Sequence, residues 1–186
     1  RQHQKLDGRI QQTYIRDSIS VARTTRKLLF DPYVKAFRFA TDRLGEEGIV
    51  VFVSNNSFVD QLTFSGMRKN LVQEFDKLFI IDLGGNVRKN PKLSGTTHNV
   101  FGIQVGVSIN ILLRKKNKEQ KSGKIYYSCV EEDWRKEQKY DFLDEKQSFL
   151  NLEWKELIVS KKHDWLTDEF NQDFQFFIPI GSQSTK

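Results

Sequence analysis

Residues 79–114 read F-I-I-D-L-G-G-N-V-R-K-N-P-K-L-S-G-T-T-H-N-V-F-G-I-Q-V-G-V-S-I-N-I-L-L-R. A strand-like apolar run, Leu78 to Leu83, enters a long polar, basic loop that carries several glycines, and an alternating run leads out of it. From Phe101 to Leu113 the odd positions are apolar, while Gly102, Gln104, Gly106, Ser108 and Asn110 are small or polar. This alternation predicts a strand over 101–113, and its small face would let a helix or another backbone approach closely. Because it begins where the loop ends, it should run antiparallel to the strand before it, with Phe101 near the loop. A loop of that length in a compact domain is uncommon unless it is functional, so the Gly84 to Asn99 segment is the first candidate for ligand contact.

Working upstream, Asp31-Pro32 supplies an N-cap and a proline at the first helical position, and Tyr33, Phe37, Ala40 and Leu44 recur at helical spacing until Gly45. Gly48 then opens I-V-V-F-V, a continuous apolar run that predicts a strand buried on both faces. It ends at Ser54-Asn55-Asn56-Ser57, and a second amphipathic helix is expected from about Asp60 to Phe75, with Leu62, Met67, Leu71 and Phe75 turned inward. Residues 6 to about 29 read as a helical or irregular lead-in. The order helix, strand, helix, strand implies a right-handed crossover that sets two strands parallel in one sheet. Open α/β sheets bind ligands at the carboxyl ends of such strands, so Asn55, Asn56 and Ser57 should converge with the 84–99 loop.

Composition limits the possible functions. A chain of 186 residues with 38% hydrophobic residues can bury a sizeable core. No run of about 18 apolar residues exists and the N-terminus lacks a signal-peptide core, so no membrane partner is expected and a cytoplasmic setting is the default. The absence of an initiator methionine at Arg1 suits a piece of a longer polypeptide. Cys129 stands alone in a strand-like run, Ile125 to Val130, and is expected to be a buried, inert thiol; no metal site is expected. The net charge of +6 favours an anionic partner. Its positive clusters are Arg88, Lys89 and Lys92 in the loop, and Arg114, Lys115, Lys116, Lys118, Lys121 and Lys124 after the last alternating run. Together with the polar loop, these charges make nucleic acid the expected partner.

An α/β sheet finished by an antiparallel returning strand is the pattern of S-adenosylmethionine-dependent methyltransferases. The runs L-F-D-P-Y-V-K-A-F-R-F-A-T-D-R-L, G-I-V-V-F-V-S-N-N-S-F and G-G-N-V-R-K-N-P-K-L-S-G-T-T-H-N-V-F-G-I-Q resemble the adenine-N6 DNA methyltransferase region of type ISP restriction-modification enzymes. The resemblance covers roughly Leu6 to Lys116, and extends more loosely to Ile180. It implies residues 1–116 as the C-terminal half of a methyltransferase domain, and residues 117–186 as a linker or mixed α/β extension toward a target-recognition domain. The fold class so implied is α/β, the C-terminal part of a Rossmann-like methyltransferase sheet. The partners implied are double-stranded DNA and the upstream and downstream parts of the same polypeptide.

In such enzymes the target adenine is flipped out of the duplex before methyl transfer. The resemblance implies Phe101 as a target-base contact, and Tyr33, Phe37, Asn55, Asn56 and Ser57 beside the cofactor or base pocket. Arg88, Lys89 and Lys92 would contact DNA phosphates. Each has a structural alternative: Phe101 as strand core, Tyr33 and Phe37 as helix packing, and Ser57 or Asp60 as helix caps. The family's glycine-rich cofactor loop and its Asn-Pro-Pro-Tyr motif are missing; Asn90-Pro91 is followed by Lys92 and Leu93 and reads as a turn. This chain is therefore expected to carry no catalytic residue, to bind no S-adenosylmethionine and to be inactive alone, although the intact enzyme would use that cofactor. His98 reads as a hydrogen-bonded loop histidine. A basic, non-catalytic nucleic-acid-binding α/β module is the alternative function.

Overall fold

The computed structural model describes residues 3–19, 24–90, 97–117 and 121–166. Helix α1 (Gln4–Ile10) runs into a π-type turn at Gln11–Ile15, and a 3-10 turn at Arg26–Phe30 leads to helix α2 (Pro32–Arg43). Pro32 opens α2 as expected, since its missing amide costs nothing at a helix start. Strand β1 (Gly48–Asn55), helix α3 (Ser65–Glu74) and strand β2 (Lys77–Asp82) follow. Strand β3 (Val107–Arg114) returns, and the extension adds strand β4 (Lys124–Cys129), helix α4 (Lys136–Lys146) and the short strand β5 (Lys155–Leu157).

The five strands make one mixed sheet in the order β1-β3-β2-β4-β5. Strand β3 lies between β1 and β2 and is antiparallel to both, so those two strands point the same way. Strand β4 is parallel to β2, and β5 closes antiparallel against β4. The result is a mixed α/β fold with a partial Rossmann-like sheet.

Helices cover one face of that sheet. Val34 and Phe37 of α2, Met67, Leu71 and Val72 of α3, and Ile10 of α1 share a core with Val50, Leu78, Ile80 and Leu112. Phe37 packs 5.1 Å from the Phe52 ring and 5.3 Å from the Phe58 ring. Burial of a side chain this size contributes roughly 1.5–3 kcal/mol. The small face of β3 turns toward these helices, as its residue sizes suggested: Ser108 and Asn110 are fully buried there. Asn110 is satisfied by donating to Phe52 O at 3.2 Å, Ser54 Oγ at 3.1 Å and Ser108 O at 3.1 Å. The buried Arg38 is likewise paired, with Glu74 at 2.9 Å and Asp42 at 2.6 Å. Paired in this way, a buried charge avoids most of its desolvation cost.

The structure corrects four expectations. Strand β1 is buried on one face only, because Ile49, Val51 and Val53 are 59%, 57% and 52% exposed. The returning strand starts at Val107 rather than Phe101, since a side chain captures the backbone amides that the ladder would need there. The second helix is interrupted: a 3-10 turn at Leu62–Phe64 precedes α3, which leaves Leu62 exposed. Cys129 is exposed at the end of β4, although desolvation and the nearby Asp82 and Glu131 carboxylates hold its thiol above its ordinary range.

Candidate nucleic-acid interface at the strand edge

The ends of β1 and β2 meet the start of β3 at one edge, where Asn55 faces Val107 and Asp82 faces Ser108. Asp82 organises this edge. Its Oδ1 accepts from Asn56 Nδ2 and from the Gly84 amide, both at 2.8 Å, and its Oδ2 accepts from the Tyr127 hydroxyl at 2.9 Å. Burial, with the Asp82 charge adding to it, raises the Tyr127 hydroxyl far above its usual range, so Tyr127 serves as a fixed donor. Lys139 is fully buried nearby and donates to His98 O at 2.6 Å. Burial pushes its ammonium pKa down, while Asp82 opposes that shift.

Glycine pairs let the backbone double back here. Gly84 and Gly85 sit at φ of 57° and 77°, in the left-handed region that side chains disfavour. A methyl group on Gly85 would stand 2.7 Å from His98 O. Asn99, which is buried, ties the two ends of the loop together: its Nδ2 donates to Gly85 O at 3.2 Å and to Val105 O at 2.6 Å. Its Oδ1 accepts the amides of Phe101 at 2.9 Å and Ile103 at 3.2 Å. With Gly102 at φ 68°, this makes a tight turn that presents Phe101, 63% exposed, and Ile103 to the outside.

Beside this turn a cavity of about 350 Å³ opens between the ends of β1 and β2. Asp31, Tyr33, Asn55, Ser57, Arg88 and Lys89 line it, so five residues expected at a ligand site from separate stretches of sequence are brought together. Asn55 Oδ1 accepts the Ser57 amide at 2.8 Å and caps the short turn that follows. This fixes Ser57 and leaves the Asn55 amide group to other contacts. The Tyr33 hydroxyl is buried without a hydrogen-bond partner, and burial, reinforced by Asp31, raises its pKa strongly. A protonated hydroxyl in that position is a hydrogen-bond donor in want of an acceptor. Lys89 pairs with Asp60. Of the other expected residues, Phe37 lies in the core, Asn56 is buried against Gly106 and Asp82, and Lys92 lies outside the described residues. His98 is held by the Trp134 carbonyl at 3.2 Å.

Asp82, Asn99, Tyr127 and Lys139, which organise this edge, were not evident from sequence. The only local signal for Asn99 is its place three residues before Gly102. The second basic cluster is at the opposite end of the sheet, because Arg114 faces Gly48. Arg114 is structural there, donating to Glu74 O at 3.0 Å and Leu44 O at 3.1 Å, over the Phe75 ring. Larger cavities, of about 880 Å³ beside β5 and about 550 Å³ between α1 and α2, lie away from this edge.

The residues here do not make a whole site for S-adenosylmethionine. A cavity of about 350 Å³ is at the small end of ligand pockets, roughly 300–1,000 Å³. No strand leading through a glycine-rich turn into a helix is among the described elements that line it. Nor do the described residues contain a group of three or more His, Cys, Asp or Glu side chains able to hold a metal ion.

No family model and no curated protein matches the chain. Solved structures do match it. It is similar to a DrdV–DNA complex seen by cryo-electron microscopy, at 37% identity over 92% of this chain and 16% of that one, with a TM-score of 0.77. It is also similar to LlaBIII, an ATP-dependent type ISP restriction-modification enzyme bound to DNA, at 29% identity over 100% of this chain and 12% of that one, with a TM-score of 0.82. A third match is a nuclease-deletion mutant of the type ISP enzyme LlaGI in complex with a DNA substrate mimic, at 25% identity over 97% and 14% of the two chains, with a TM-score of 0.77. The chain thus spans only 12% to 16% of the length of these chains. Its structural neighbours are restriction-modification enzymes bound to DNA, and it is similar to one segment of them.

Proposed function

We propose that this chain is the C-terminal part of an adenine-N6 DNA methyltransferase region within a longer restriction-modification polypeptide, and that its strand edge forms one wall of the pocket for a flipped adenine. The observation that carries this reading is the exposed Phe101, held on the Asn99 turn at the same edge as the cavity lined by Tyr33, Asn55, Ser57 and Arg88. An aromatic ring exposed to this degree favours base contact over core packing, since stacking on a base is worth about 1–3 kcal/mol. The DNA in the matched complexes supports the same partner.

In this arrangement each group of the chain binds or orients. Phe101 stacks on the extruded base, Tyr33 Oη and the Asn55 amide offer donors, and Arg88 neutralises a phosphate. Lys89 contributes less, because Asp60 already balances its charge. S-adenosylmethionine would supply the methyl group, and other parts of the polypeptide would hold it together with the groups that take up the amino hydrogens. The chain alone should therefore be inert. The test is Phe101→Ala in the longer polypeptide: methylation should fall at least tenfold while thermal stability stays unchanged. Equal loss of methylation and stability would mark Phe101 as a packing residue. Retained DNA binding with no methyl transfer by the unsubstituted polypeptide would favour a non-catalytic binding module.

A further inference from the structure

Strand β1 is paired on one side only. It meets β3 along its whole length, from Gly48 opposite Arg114 to Asn55 opposite Val107, and no described strand pairs its other side. The eight residues of this edge contain no proline, no lysine and no break in register. Folded chains usually guard an exposed edge with one of these devices, because a bare edge pairs with whatever strand arrives. The adjoining face is bare as well. Ile49, Val51 and Val53 are exposed and stand in register with Leu113, Ile111 and Ile109 of β3, which makes an aliphatic stripe two strands wide.

Handedness decides what fits there. Helices α2 and α3 lie on the same face, since Phe37 of α2 and Met67 of α3 share one core with Val50 and Ile80. The crossover from β1 through α3 to β2 moves across the sheet in one direction. A helix that feeds β1 from that same face, with the same right-handed sense, must come from a parallel strand displaced the opposite way. That position is the open edge. We infer that the open edge of β1 receives a parallel strand of the same polypeptide, preceding α1 in chain order, and that a helix belonging to that segment covers Ile49, Val51 and Val53. A second copy fits less well, because two-fold symmetry would pair β1 with itself antiparallel and leave the α2 crossover without its strand. The matched chains are long enough to supply such a segment, as this one spans only 12% to 16% of them.

This inference rests on the reading of the chain as part of a longer polypeptide, and its test involves neither DNA nor methyl transfer. Hydrogen–deuterium exchange of β1 should be compared between the longer polypeptide and the 186-residue chain at low and high concentration. The β1 amides that face the open edge should exchange at least a hundredfold more slowly in the longer polypeptide, and fast in the chain at both concentrations. Fast exchange in the longer polypeptide would overturn the inference. So would protection in the chain: concentration-dependent protection would assign the edge to a second copy, and concentration-independent protection to the chain's own residues. As a second readout, Val51→Lys should lower the urea midpoint of the longer polypeptide and leave that of the chain unchanged; an unchanged midpoint in both would also overturn it.

Discussion

Asn99 Oδ1 accepts the Phe101 amide at 2.9 Å while Asn99 Nδ2 holds Val105 O at 2.6 Å, so one buried side chain both shapes the turn that carries Phe101 and closes the loop behind it. Asn99→Ala would leave several buried backbone groups unpaired, at about 1–3 kcal/mol for each one that water does not reach. Chemical denaturation should show a loss of at least about 2 kcal/mol. Asn99→Asp keeps the acceptor and loses both donors, so it should be less stable than the native chain and nearer to it than Asn99→Ala. Equal stability of all three would show that the turn holds without the clamp.

Arg88 and Lys89 are adjacent and exposed, but they differ in partner, since only Lys89 is paired with Asp60. Arg88→Ala should weaken binding of the chain to duplex DNA similarly across sequences and reduce the slope of log affinity against log salt by about 1. Lys89→Ala should change the slope less. Fluorescence anisotropy over a salt series measures both, and identical slopes for the three proteins would remove the loop from the interface.

Two glycines should respond with opposite sign to the same substitution. At Gly85, with φ 77° and His98 O in the way, Gly85→Ala should cost about 1–3 kcal/mol. Gly8 lies within α1 with open space around it, so Gly8→Ala should stabilise by up to about 1 kcal/mol. Thermal denaturation of the two variants checks the signs.

Asp42 gives the fold an acid-sensitive tie. Burial alone would raise its carboxyl, but Arg9 and Arg38 outweigh that and hold it below 3.8. A folded pKa that is depressed contributes stability that is complete above the unfolded value and disappears as pH falls through the folded one. Asp42→Asn should therefore cost about 1 kcal/mol at neutral pH and flatten the stability profile below about pH 4. Urea midpoints measured across pH give both quantities.

Much of the fold can be read from the sequence because local signals and packing agree. Asp31-Pro32 marks the start of α2, the 78–83 run marks β2, and the small residues of β3 mark the face that helices approach. The reading fails where a partner distant in sequence decides. A continuous apolar run looks the same whether both faces are buried or one awaits a neighbour, which is why β1 reads as more buried than it is. Alternation through Phe101-Gly102-Ile103 looks like a strand until Asn99 claims its amides. At the site, Tyr33, Asn55, Ser57, Arg88 and Lys89 are found from topology, since strand ends gather at one edge. Asp82, Tyr127 and Lys139 are not found, because a buried hydrogen-bonded network has no spacing of its own. Arg114 shows the converse, a cation within a basic cluster whose donors are taken by backbone carbonyls.

The most direct measurement is the fate of a labelled methyl group. A longer polypeptide carrying this chain should be incubated with duplex DNA and methyl-labelled S-adenosylmethionine, and the nucleosides separated. Label should appear in N6-methyladenine, should drop at least tenfold with Phe101→Ala, and should be absent when the 186-residue chain is used alone. Label on cytosine, or label transferred by the chain alone, would contradict the account.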